Sequence, residues 1–158
     1  MSLQRPVGSD HQLARLLQIG AVLEEVVEAR AEKHASDADD LEPAVADLLE
    51  HAVAESADHR HRLETLIEDL EADTVPFEEI KRLVEAQYEA DEAFDGVLYD
   101  QLCNEETAYK FYDDLVAAIE ASEGEFGIDR ERLLGVLREI REEEADGVER
   151  VTRLMEGE

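Results

Sequence analysis

The chain has 158 residues, 44% of them hydrophobic, enough for one domain spanning 1–158 with a proper core. Its 43 acids against 15 bases give a formal net charge of -28, and such a surface repels phosphates, which excludes DNA, RNA and anionic membranes as partners. The single cysteine, Cys103, rules out an intramolecular disulfide, no apolar run approaches the ~18 residues of a membrane span, and no signal peptide is read, so a cytoplasmic location is expected.

Ala, Leu and Glu dominate, which favours helix almost throughout. The first predicted helix runs from about His11 to Ala35, with Leu13, Leu16, Leu17, Gly20, Val27 and Ala31 on its apolar face and Glu24 inside that face. Asp37 to Pro43 is a polar connection, and Pro43 suits the first turn of the next helix. The second helix continues to about Asp73, where Thr74, Val75 and Pro76 break it. Val45, Leu48, Leu49, Ala52, Leu63, Leu66 and Leu70 form its stripe, with His59 near the centre and Ser56 and Glu55 beside it. Phe77 to about Asp95 reads as a further helical piece in a long crossover, which Gly96 kinks or interrupts. The third helix reaches Ser122, and Leu98, Leu102, Tyr109, Val116 and Ile119 enclose Glu105. After a turn at Glu123–Gly127, Asp129 caps the fourth helix, without the acid of a full capping box at Arg132. Leu133, Leu137, Ile140, Val151 and Leu154 there enclose Glu144.

Two long hairpins joined by a longer connection make an all-α four-helix bundle with one crossover. The acids otherwise fall between regular apolar stripes, which argues for folding rather than disorder. Only Lys33, Lys81 and Lys110 are lysines, the other bases being arginine; high acid with scarce lysine resembles proteins of salt-in halophiles, where molar salt screens self-repulsion.

A carboxylate in a core is costly unless it is paired or holds a metal. Three helices each carry one such acid and the other carries a histidine, so Glu24, His59, Glu105 and Glu144 form a metal-shaped set, with Glu55 and Glu143 at its edges. Each has a plainer reading. Glu24 could pair with an arginine or reach solvent, and His59 could be satisfied by Glu24 or Glu105. Glu105 could exchange roles with Glu106, and a one-residue phase error would expose Glu144. Tyr109 and Tyr112 suit packing better than redox work. Gly147, costing about 1 kcal/mol relative to Ala in a helix, marks either close packing or room for a ligand or water. The pentads Glu55–His59 and Glu143–Gly147 share a phase, a faint twofold echo.

Other chemistry finds little footing. There is no Gly-rich phosphate loop, Cys103 has no histidine at helical spacing, and Ser56 beside His59 lacks the oxyanion hole of a triad. Aromatics at 5% without Trp argue against a sugar groove.

The arrangement resembles the ferritin-like superfamily, its rubrerythrin branch in particular. There the first and third helices each give a Glu, and the second and fourth each give a Glu-x-x-His pair to two irons. Glu24 and Glu105 match the lone glutamates by phase, and Glu105-Glu106-Thr107-Ala108-Tyr109-Lys110-Phe111-Tyr112 is similar to the family's third helix. Both pairs are damaged, as Ser56-x-x-His59 and Glu144-x-x-Gly147, although Glu55-x-x-x-His59 remains able to chelate; Asp58-x-x-His61 has the formal spacing, but His61 points to solvent. The resemblance implies iron or manganese at a reduced carboxylate/His site, mono- or dinuclear, and a link to iron or peroxide handling through a redox partner that the sequence does not name. The alternative is a metal-free bundle, an interaction or structural module whose stripe acids are neutralised by arginine or tied to tyrosine hydroxyls. Homo-oligomers through helix faces are expected in either case.

Overall fold

The computed structural model describes residues 7–37, 41–70, 72, 78–82 and 96–157. Four long helices dominate: α1 (Asp10–Asp37), α2 (Pro43–Leu70), α3 (Val97–Glu120) and α4 (Arg130–Met155), and no strand occurs among the described residues. Of the extra helical piece expected at Phe77 to Asp95, residues 78–82 are helical and carry the buried Ile80; the remainder lies outside the described residues.

Local chemistry sets the helix ends. Ser9 Oγ accepts the Gln12 backbone N–H at 3.1 Å at the start of α1, and Asp129 accepts that of Arg132 at 3.1 Å at the start of α4. α2 opens on Pro43, whose missing N–H costs nothing in a first turn. Gly96 precedes α3 with φ of 99°, a left-handed conformation that stops any helix running through it. Arg130 donates to the carbonyl oxygens of Ile119 and Ser122 at 2.6 and 2.9 Å, covering the frayed end of α3.

α1 packs chiefly on α2 and α3 chiefly on α4, with smaller contacts of α1 on α3 and of α2 on α4. Cross-helix pairs give the directions. Gly20 lies against Leu63 and Glu28 meets Arg60, while Asp100 meets Arg30 and Tyr112 meets Glu24, so α1 runs antiparallel to both α2 and α3. His59 meets Glu144 while Asp69 meets Arg132, so α2 and α4 are also antiparallel. Leu70 therefore ends α2 beside Gly127 and Asp10, whereas Val97 starts α3 at the opposite end, beside Ala31, Leu49 and Ala52.

The main core fills the Asp10 end with Leu13, Leu17, Leu63, Leu66, Tyr112, Leu115, Ile119, Leu133, Leu137 and Ile140. A smaller apolar cluster of Ala31, Leu49 and Ala52 lies at the far end. Between the two, near the midpoint of every helix, the interior turns polar.

α3 departs from its expected stripe. Leu98 and Leu102 are only half-buried and Tyr109 is 36% exposed, while Gln101, Asn104, Glu105, Ala108, Phe111 and Tyr112 face inward. Glu105 is buried as expected, but Asp100, Gln101 and Asn104 are buried with it, so the apolar residues Leu98, Leu102 and Tyr109 do not mark the inward face of this half. No helix among the described residues is long and apolar enough to cross a membrane.

Candidate metal centre

The polar layer gathers one residue from each helix. Glu24 and His59 are both 0% exposed, and Glu144 and Glu105 are buried with them. Glu55 sits at the layer's edge with its side chain 16% exposed, and Glu143 lies further out at 36%. All six residues singled out in the sequence thus converge on one region.

His59 is the hub. Its Nδ1 lies 3.0 Å from Glu144 Oε1 and 3.4 Å from Glu24 Oε1. Its Nε2 points the other way, 3.5 Å from Glu143 Oε2 and 3.9 Å from Glu55 Oε1, and makes no hydrogen bond. Glu24, His59 and Glu144 each offer a donor atom within 4.8 Å of the others. So do Glu55, Glu105 and Glu144, and Glu144 is common to both groups.

Gly147 has a concrete role. A Cβ at this position would come within 2.6 Å of Glu105 Cδ, so the space left by the missing side chain is filled by the carboxylate of α3. The residue that takes the place of the fourth helix's expected histidine makes room for an acid.

The supporting contacts are partly those of a metal-free network. Tyr112 donates its hydroxyl to Glu24 Oε1 at 2.9 Å, and Gln101 donates to Glu105 Oε1 at 2.9 Å. Among the described residues, arginine meets the layer at its edge, where Arg62 pairs with Glu143 as well as with Asp58 and Glu139; Arg60 pairs with Glu28, and Arg141 with Asp113 and Glu142. Glu24 Oε2 remains buried without a hydrogen bond. Burying such a group unpaired costs a few kcal/mol, and more when it is charged.

Protons carry the balance. Burial, then repulsion from Glu105, lifts the Glu55 carboxyl to about 7. Burial and the charge of Glu24 push Glu144 well above the usual carboxylate range, and burial raises Glu105 as well. Burial works against a charged His59, but hydrogen bonding to Glu24 and the surrounding carboxylates outweigh it and raise its pKa. Burial and Glu24 also hold Tyr112 protonated. The layer is a region of strong negative potential, and its buried carboxyls hold their protons to higher pH than free ones do.

Nearer the start of α3, five residues before Glu105, Asp100 is buried and accepts hydrogen bonds from Arg30 Nε at 3.2 Å and from a second Arg30 nitrogen, and pairs with His34 Nε2 at 2.7 Å. These partners overcome the effect of burial and lower its pKa. His34 is therefore an interhelical partner. Asn104 is also buried, with both polar atoms of its amide lacking hydrogen bonds. The Gln101–Glu105 pair was legible as i, i+4 neighbours, whereas Arg30 and His34 reach Asp100 from another helix, which spacing along the chain does not show. His61 is exposed and His11 lies at the surface, while His51 pairs with Glu55 Oε2 at 2.8 Å.

The donor set suits a hard or borderline divalent ion. Carboxylate oxygens dominate, a single imidazole contributes, and neither group includes a cysteine, which favours iron(II) or manganese(II) over softer metals. Comparison with protein-family models, curated proteins and solved structures gives no match.

Proposed function

We propose that this chain is a ferritin-like, single-crossover four-helix bundle that binds iron or manganese at a reduced carboxylate/His centre and serves iron or peroxide handling. The observation that carries the metal reading is the fully buried Glu24–His59–Glu144 group, with donor atoms within 4.8 Å of one another and Glu24 Oε2 left without a partner. Burial of several carboxylates around one imidazole is strongly unfavourable unless protons or a cation offset it. A divalent ion removes that penalty and uses the unpaired atoms.

Glu24, His59 and Glu144 would hold one ion, and Glu55, Glu105 and Glu144 a second. Glu143 and Tyr112 would orient the ligands through Arg62 and Glu24. The bound metal would supply redox or Lewis-acid chemistry; the chain's own part is to hold donors in a water-poor layer where burial favours protons on the carboxyls, Glu144 above all, over bare charge until the ion arrives. The antiparallel relation of α1 to both α2 and α3 supports the fold half of the reading.

The second reading, a metal-free interaction or structural module, draws on the Tyr112 and Gln101 hydrogen bonds, which tie two of the acids without metal. Elemental analysis of the protein purified in molar salt separates the two. Near-stoichiometric iron or manganese, lost in His59→Ala, is the expected result. No metal in either protein would leave the structural module standing.

A further inference from the structure

Outside the buried layer, Arg62 occupies an unusual position. Its NH2 nitrogen donates to Asp58 Oδ2 at 2.8 Å and to Glu143 Oε2 at 2.6 Å. The same Glu143 oxygen is 3.5 Å from His59 Nε2, the buried ring nitrogen that has no hydrogen bond. A positively charged nitrogen therefore stands between two carboxylates, beside an imidazole nitrogen aimed outward from the core. Asp58, His59 and Glu143 also offer donor atoms within 4.8 Å of one another.

From this geometry we infer that Asp58, His59 Nε2 and Glu143 form an outer divalent-cation site, which the Arg62 guanidinium fills until an incoming ion displaces it. This outer site shares His59 with the buried group and rests on the reading of that group as a metal centre; with both filled, His59 bridges the two ions as imidazolate, its ring proton released to solvent on loading. It makes the α2–α4 face the route of loading: Asp58 is exposed, Glu143 is half-buried, and His59 faces the outer acids with one nitrogen and the inner acids with the other.

Arg62 also has somewhere to go. Its NH1 lies 3.2 Å from Glu139 Oε1, one helical turn from Glu143 and largely exposed. Swinging outward, the guanidinium keeps that partner while releasing Asp58 and Glu143. Displacement thus exchanges one cation for another on the same two carboxylates, without leaving either acid bare. Asp58 and Arg62 are one turn apart on α2, so the device needs no backbone movement.

The test is manganese(II) titration of the full chain in molar potassium chloride, counting free ion by electron paramagnetic resonance and following loading by stopped flow. Arg62→Gln, with no guanidinium to reoccupy the outer site once the ion has passed inward, should retain one more ion per chain than wild type and load faster. Adding Asp58→Asn to that variant should remove the extra ion and keep the inner ones. Asp58→Asn alone, which leaves Arg62 and Glu143 paired, should slow loading without lowering the inner count. Unchanged count and rate in Arg62→Gln, in a chain whose wild type loads manganese, overturns the outer site alone. An extra ion that survives Asp58→Asn does the same. A wild type that takes no ion, with Arg62→Gln taking one that Asp58→Asn removes, upholds the outer site and rejects the inner centre. No ion in any variant rejects both.

Discussion

Gly147 shows how much one missing side chain decides. In an exposed helix interior, Gly→Ala would stabilise by roughly 1 kcal/mol. Here a methyl group must push aside the carboxylate of Glu105, the flexible end of a side chain that Gln101 holds. Gly147→Ala should therefore fold, gain little or none of that stability, and bind manganese about tenfold more weakly as Glu105 leaves its position. Melting curves and a manganese titration check both parts, and undiminished affinity would separate Glu105 from the centre. Glu24 and Glu144 were legible as buried acids because each has apolar neighbours at helical spacing on both sides. The Glu105 pocket was not, since a glycine on one helix says nothing about which acid on another will fill its space.

At the scale of the element, α3 joins two kinds of surface. Its C-terminal half presents Phe111, Leu115, Val116 and Ile119 to the main core, and its N-terminal half presents Asp100, Gln101, Asn104 and Glu105. The four helices and most of their ends follow from capping residues, Pro43, Gly96 and the Leu-rich stripes. The N-terminal face of α3 follows only at Glu105, because Asp100, Gln101 and Asn104, which also face inward, are polar residues that periodicity assigns to solvent. Asp100 fixes this half against α1 through Arg30 and His34. Asp100→Ala should cost about 1–3 kcal/mol, since it strands a partly buried guanidinium and removes charge-assisted hydrogen bonds. Leu63→Ala, at the opposite end and fully buried, should cost about 2–5 kcal/mol through lost burial and a cavity. Urea unfolding of both variants tests the comparison; the larger loss belongs to Leu63.

Across the whole molecule, a net charge of -28 and a buried acid layer both oppose folding as protons leave. The unfolded chain releases carboxyl protons near 4.5, whereas folded Glu55 holds its proton to about 7, and Glu105 and Glu144 are shifted in the same direction. The folded state binds more protons across that window, so metal-free stability falls as pH rises through it. His59 adds to the same trend: its raised pKa contributes stability below about 6.5 that is lost as pH climbs through the folded value. The metal-free protein should melt highest near pH 5 and progressively lower towards pH 8, and Glu55→Gln should flatten the slope. A melting temperature that rises over this range would contradict the assignment. Molar salt should raise the whole curve by screening surface repulsion, while buried groups respond less.

The buried layer is held either by protons alone or by a metal that replaces them, and ligand binding to the folded state must appear as stability. The most direct measurement is the melting temperature at pH 7 in molar salt, with and without excess manganese(II), for wild type and His59→Ala. A metal centre predicts a clear upward shift in wild type that disappears in His59→Ala. No shift in wild type, with His59→Ala merely less stable at every metal concentration, would contradict it.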